Sequence, residues 1–131
     1  MSGLSIVSVI DDDASVRIAT ARIVRSMDLI PYTFESCRDF LESPHFLNSS
    51  CIIADVQMPG MSGVELQAML RSRGLTTPMI FITAYPDDRL RKRALDAGAV
   101  GFLHKPFQGT VIIECIERAL GKSTGIPPSR R

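Results

Sequence analysis

Ser5-Ile6-Val7-Ser8-Val9-Ile10 runs directly into Asp11-Asp12-Asp13 and then into a segment, Ser15 to Met27, in which Val16, Ala19, Ile23 and Val24 recur at helical spacing. An apolar, partly β-branched run of this kind reads as a strand covered on both faces. A helix that follows within a few residues supplies one of the covers. The same unit repeats along the chain. Strand-like runs recur at Ile30 to Phe34, Cys51 to Ala54, Met79 to Ile82 and Val100 to Leu103. Helical spacing recurs at Ser36 to Glu42, Ser62 to Arg73, Arg89 to Ala97 and Thr110 to Leu120, with the first of these carrying only Phe40 and Leu41 as strongly apolar residues. Each strand-to-strand connection is too long for a hairpin, so the strands run parallel through right-handed crossovers. The expected fold is α/β, a doubly wound five-stranded parallel sheet with five helices.

The 131 residues, 45% hydrophobic and 22% charged, suit one globular domain with a core of ordinary size and exclude disorder, collagen and coiled coil. The formal net charge of +1 gives no overall field to recruit nucleic acid or anionic membrane. Charge is nevertheless segregated: residues 1–55 hold 8 acids and 4 bases, whereas 56–131 hold 6 acids and 11 bases. Cys37, Cys51 and Cys115 form no CxxC or Cys/His pair at metal spacing, so they are expected as reduced, apolar packing residues. No basic leader and no apolar run long enough to cross a bilayer is expected, which makes cytoplasmic the default location. Gly121 to Arg131, with Gly125, Pro127 and Pro128 and no periodicity, reads as a flexible tail or the start of an interdomain linker after a domain of residues 1–120.

In doubly wound sheets ligands sit beyond the carboxyl ends of the strands. No glycine-rich phosphate loop follows the first strand, so neither a dinucleotide fingerprint nor a Walker loop is present. Asp11, Asp12 and Asp13 stand there instead. Asp55 follows the third strand, Thr83-Ala84 the fourth, and His104-Lys105-Pro106-Phe107 the fifth. Two carboxylates about 4 Å apart repel by about 4 kcal/mol at an effective dielectric near 20. A hard divalent ion with oxygen ligands, Mg²⁺ first, would offset that charge, and Lys105 adds a further positive charge. Taken singly, each residue has an ordinary explanation: Asp13 as a helix N-cap, Asp55 as a turn residue, Thr83 as a loop threonine, Lys105 as a solvated lysine. An acid pair, a single acid, a hydroxyl and a lysine at the ends of four strands of one sheet point jointly to a site.

The stretch Asp55-Val56-Gln57-Met58-Pro59-Gly60-Met61-Ser62-Gly63, preceded by Val9-Ile10-Asp11-Asp12 and followed by Thr83-Ala84, Ala97-Gly98-Ala99 and Lys105-Pro106-Phe107, resembles the receiver domain of bacterial two-component response regulators. The resemblance covers about residues 5–120 and implies a flavodoxin-like fold. Met61-Ser62-Gly63-Val64-Glu65-Leu66 and Thr110-Val111-Ile112-Ile113-Glu114 are similar to the FixJ-type branch, whose members usually carry a LuxR-type DNA-binding domain that is absent from this sequence. The resemblance implies that Asp55 accepts a phosphoryl group from a sensor histidine kinase. It implies that Asp11, Asp12, Asp55 and the backbone carbonyl of Gln57 position Mg²⁺, that Lys105 contacts the phosphoryl oxygens, and that Pro106 follows a cis peptide. Thr83 and Phe102 match the family's switch pair. The resemblance implies that Gln57 and Tyr85 flank the path of attacking water and would tune the phosphoryl lifetime, with small Ala84 leaving access to Asp55 open. Pro59, Gly60 and Gly63 suit the sharp exit from the site into the third helix.

Arg89, Arg91, Lys92 and Arg93 lie on the fourth helix, part of the face (fourth helix, fifth strand, fifth helix) through which the resemblance implies a homodimer or effector contact. A solvated face paired with Asp87, Asp88 and Asp96 explains the same charges. Direct nucleic-acid binding is not expected, since no helix-turn-helix or basic groove reader is present. The rival from another class is a phosphatase of the haloacid-dehalogenase type, whose DxDx[ST] signature Asp11-Asp12-Asp13-Ala14-Ser15 fits literally, with Asp11 as nucleophile and Asp13 as acid/base. The chain is short for that family, and Thr83 stands where an acidic pair would be needed after the fourth strand. A receiver-shaped module that only docks partners would require a broken site, and no element is missing. The expected role is therefore a phosphoryl-accepting switch, not an enzyme acting on a separate substrate.

Overall fold

Four of the five helices begin where the sequence offers a capping side chain. The computed structural model describes residues 5–121. Asp13 caps α1 (Ala14–Ser26) by accepting from the Ser15 N–H, Ser36 caps α2 (Cys37–Leu41), and Asp87 caps α4 (Asp88–Asp96). At α3 (Gly63–Ser72) the Ser62 and Glu65 side chains each take the other's backbone N–H, a reciprocal capping box. The fifth helix, α5 (Gly109–Ala119), starts at Gln108 with no side-chain cap. All five expected helices are present. Each begins one residue away from its expected start, within the ordinary uncertainty of a helix boundary.

The strands are β1 (Ile6–Ile10), β2 (Ile30–Phe34), β3 (Cys51–Asp55), β4 (Met79–Thr83) and β5 (Gly101–His104). They form one parallel sheet in the order β2-β1-β3-β4-β5, so β1 and β3 flank the point where the winding direction reverses. Asp55 and Thr83 are the last residues of their strands and do not follow them, which plants both side chains on the sheet's rim.

Alternation along the buried strands sends side chains to two cores. Val7, Val9, Cys51, Ile53, Ile80 and Ile82 pack under α1 and α5 with Val24, Ile112 and Ile116. Ile10, Ile52, Ala54, Met79 and Phe81 pack under α2, α3 and α4 with Phe40, Leu66, Leu70 and Ala94. The buried residues under α1 and α5 are aliphatic apart from cysteines, whereas the core under α2, α3 and α4 also holds Phe40 and Phe81. The three cysteines are free and buried. Burial raises the Cys37 and Cys51 thiols to about 12, so they stay protonated packing residues, as expected. Among the described residues no helix is long and apolar enough to cross a membrane. The expected tail lies outside the described residues from position 122 onward.

Candidate functional site

Parallel winding carries Asp11, Asp55, Thr83 and Lys105 to one rim from four different strands. Asp11 is wholly buried and Asp55 is 5% exposed. One carboxylate oxygen each from Asp11, Asp12 and Asp55 lies within 4.8 Å of the other two. Lys105 Nζ bridges the buried pair, 2.8 Å from Asp11 Oδ2 and 2.9 Å from Asp55 Oδ2. Burial pushes the Asp11 carboxyl up, against the opposing pull of Lys105 and of the Asp13 N–H, while the Asp55 charge adds to the upward push. Burial alone would depress the Lys105 ammonium, but its bonds to Asp11 and Asp55 outweigh that and hold it above the ordinary lysine range.

The loops around the cluster are tied to it. The Asp13 N–H donates to Asp11 Oδ1 at 2.9 Å, and the Gln57 N–H donates to Asp55 Oδ1 at 2.9 Å. After Asp55 the chain turns through Pro59 and Gly60, which sits at φ +80, before entering α3. Gly63 opens that helix against the end of β3, where any Cβ would stand 2.6 Å from the Asp55 carbonyl oxygen and 3.1 Å from the Phe81 ring. A side chain at position 63 would push α3 off the strand that carries Asp55.

Gln57, Ala84 and Tyr85 line one cleft of about 320 Å³ with Asp12, Asp13, Asp55 and Lys105. Tyr85 stands 71% exposed at its mouth, whereas Ala84 leaves the approach to Asp55 open. The Thr83 hydroxyl is buried and turned toward its own loop: it accepts from the Tyr85 N–H at 3.0 Å and donates to the Tyr85 carbonyl at 3.2 Å. Phe102 is half-buried, its ring centroid 6.2 Å from that of Phe81. The Lys105–Pro106 peptide is cis, as the resemblance implied.

On α4, only part of the expected pairing is found. Lys92 Nζ lies 2.7 Å from Asp96, but Asp87 is occupied as the helix cap. Among the described residues no ion pair reaches Arg89, Arg91 or Arg93.

Three side chains near the site or α4 were not singled out in the sequence. Arg17 donates to the Asp11 backbone carbonyl at 2.7 Å. Gln67 and Arg71, on α3, donate to the Ala94 and Ala97 carbonyls of the α4 segment at 3.0 and 3.2 Å. For Gln67 a signal existed: it is a polar residue one turn from both Gly63 and Leu70 on the buried face of α3.

A family model described as the response regulator receiver domain matches residues 7–117, most of the chain. This chain belongs to the response-regulator receiver family. The receiver domain is 39% identical over 117 residues to the transcriptional regulatory protein FixJ of Azorhizobium caulinodans, covering 89% of this chain and 56% of that protein. It is 38% identical to the transcriptional regulatory protein TdiR of Thauera aromatica, covering 88% of this chain and 51% of that one. The chain thus spans about half the length of the curated relatives it matches. Among solved structures it superposes on the response regulator StyR with a TM-score of 0.83 at 39% identity, covering 91% of this chain and 60% of that one. It superposes on the FixJ-N crystal structure with a TM-score of 0.79 at 34% identity, covering 96% and 100%. As a response-regulator receiver, the domain is a signalling module. The phosphatase reading finds no support: the family match spans the sheet, and Asp13 is engaged in capping α1.

Proposed function

We propose that Asp55 accepts a phosphoryl group from the phosphohistidine of a sensor kinase and that the rim residues make a weak carboxylate nucleophile sufficient for the transfer. The observation that carries this reading is the bridge of Lys105 Nζ across Asp11 and Asp55 at the mouth of an acidic cleft. In the transfer, an Asp55 oxygen bonds to phosphorus as the P–N bond to the imidazole breaks, and that bond's electron pair returns to the ring nitrogen. Lys105, already within hydrogen-bond distance of Asp55, offers its charge to the phosphoryl oxygens as a point donor. The Gln57 N–H holds one Asp55 oxygen and so fixes the plane of the carboxylate.

The cluster fits a divalent cation. Three carboxylates converge within 4.8 Å, and Asp11 Oδ2, buried and 2.8 Å from Lys105, has no aligned hydrogen bond. Asp11, Asp12, Asp55 and the Gln57 carbonyl would hold Mg²⁺, which when bound would neutralise carboxylate charge and draw in phosphoryl oxygens.

The output runs through Thr83. Its hydroxyl donates to a neutral carbonyl, that of Tyr85, and an anionic phosphoryl oxygen on Asp55 is the stronger acceptor. Turning toward it releases the Tyr85 carbonyl and with it the loop that leads into α4, while Phe102 follows by repacking on Phe81. Gln57, Ala84 and Tyr85 set access of water to the phosphoryl group and hence its lifetime. The state is passed on through α4, β5 and α5 to a second copy or an effector. Named relatives are transcriptional regulators, and we place this chain as the cytoplasmic receiver of a regulator of that kind, residues 1–120 forming the domain and 121–131 a tail or linker, with no nucleic-acid contact of its own. Incubation with a small phosphodonor and Mg²⁺, followed by intact-protein mass spectrometry, tests the core of this reading. One phosphoryl group per chain is expected for the wild type and none for Asp55→Asn; equal labelling of the two would overturn it.

A further inference from the structure

Asp12 is the one member of the acidic cluster whose direction nothing in its own side chain secures. Asp11 is buried against Lys105 and the Asp13 N–H, and Asp55 is fixed by Lys105 and the Gln57 N–H. Asp12 is exposed, and among the described residues no hydrogen bond reaches its carboxylate. Its position is therefore set by the backbone. The peptide joining Asp11 to Asp12 is a rigid plane, so holding its carbonyl oxygen fixes where the Asp12 Cα and its side chain depart.

Arg17 holds that oxygen. It lies on α1 with its side chain only 17% exposed, and Nη1 donates to the Asp11 carbonyl at 2.7 Å. Nη2 leans toward Glu35, 3.9 Å away and largely exposed, at the start of the β2–α2 connection. The Arg17 backbone N–H donates to the Asp13 carbonyl at 3.1 Å, so the residue grips the acidic turn twice. The Asp11 N–H meanwhile donates to Phe34 on β2. We infer that Arg17 is a positioning residue for the acidic pair: its guanidinium locks the Asp11–Asp12 peptide and thereby aims Asp12 at the cation site. The inference rests on the reading of Asp11, Asp12 and Asp55 as a divalent-cation site.

Geometry and charge make opposite demands here, which renders the inference testable. A guanidinium behind the cluster repels a second cation, so by charge alone its removal would tighten Mg²⁺ binding. As a strut, its removal frees the peptide and weakens binding. A planar fork suits the strut, since one edge can bond the carbonyl while the other faces Glu35; the lysine ammonium is a point charge on a flexible stem.

The test is calorimetric titration of Mg²⁺ into the wild type, Arg17→Met, Arg17→Lys and Asp12→Asn, with circular dichroism verifying the fold of each. Arg17→Met should bind Mg²⁺ about tenfold more weakly, in the range seen when a group supporting a metal ligand is removed. Arg17→Lys should stay nearer to Arg17→Met than to the wild type. Saturating Mg²⁺ should restore the phosphorylation rate of Arg17→Met, which a general packing defect would not allow. Wild-type binding that Arg17→Met leaves unchanged or strengthens overturns the role of Arg17 alone. No Mg²⁺ binding by the wild type, or full binding by Asp12→Asn, overturns the reading of the cluster on which it rests.

Discussion

Helices α4 and α5 flank the same edge strand on opposite faces of the sheet and are held to it by different physics. Helix α5 inserts Ile112, Cys115 and Ile116 fully into the core. Helix α4 buries a single side chain, Ala94, with Leu90 and Leu95 half-covered; Gln67 and Arg71 add polar ties from α3 to the carbonyls of Ala94 and, at its C-cap, Ala97. Apolar burial is non-directional and lost only when the whole interface opens. A hydrogen bond to a carbonyl is directional and contributes about 1 kcal/mol net, so it can be exchanged for another at low cost. The comparison marks α5 as the firmly packed cover of the sheet and α4 as the more loosely held one.

The largest expected effect lies on the firmly packed side. Ile116→Ala, at a position with no solvent exposure, should lower unfolding stability by about 3 kcal/mol in urea titrations, from lost burial and the cavity left behind. A cost as small as that of a surface substitution would break the contrast between the helices.

A smaller effect is expected across the α3–α4 contact. Gln67→Leu should cost about 1 kcal/mol, because Ala94 O keeps its bond from the Ala99 N–H. Native-state hydrogen exchange should then quicken about fivefold in α4 and remain unchanged in α5. Equal acceleration in both helices would show that α4 is not separately tethered.

The smallest effect concerns thiols and needs no mutation. All three are buried and protonated at neutral pH, so a disulfide reagent should label them only through opening of the native state. Cys37, on the five-residue α2, should react before Cys51, which sits in the central strand β3. The reverse order would place the looser cover on the α5 side.

Nearly all of the fold was legible because strand and helix signals in this chain are local. Val7, Val9, Ile52, Ile53, Ile80 and Ile82 declare doubly covered strands by composition alone, and Asp13 declares the first helix start by chemistry. The rim of the site was legible for a related reason: in a parallel sheet, the residue at the end of a strand has its place determined by topology. What escaped was cooperative. Arg17 reaches back to a carbonyl six residues earlier, Arg71 gathers the carbonyls of Leu75, Thr77 and Ala97, and the Thr83 hydroxyl closes on Tyr85. Backbone carbonyls have no letter in a sequence, so side chains whose partners are carbonyls look like ordinary surface residues until the chain is folded. The same holds for α4, where the basic residues are visible in the sequence but the bonds from Gln67 and Arg71 to carbonyls at Ala94 and Ala97 are not.

The central claim is that Asp55, and not Asp11, carries the phosphoryl group. Borohydride reduction of the phosphorylated protein, followed by peptide mapping, converts the acyl-phosphate residue alone into a stable homoserine. The account predicts that the modified residue is Asp55 in the peptide that holds Gln57 and Met58; modification of Asp11, or of any residue outside the rim, would contradict it.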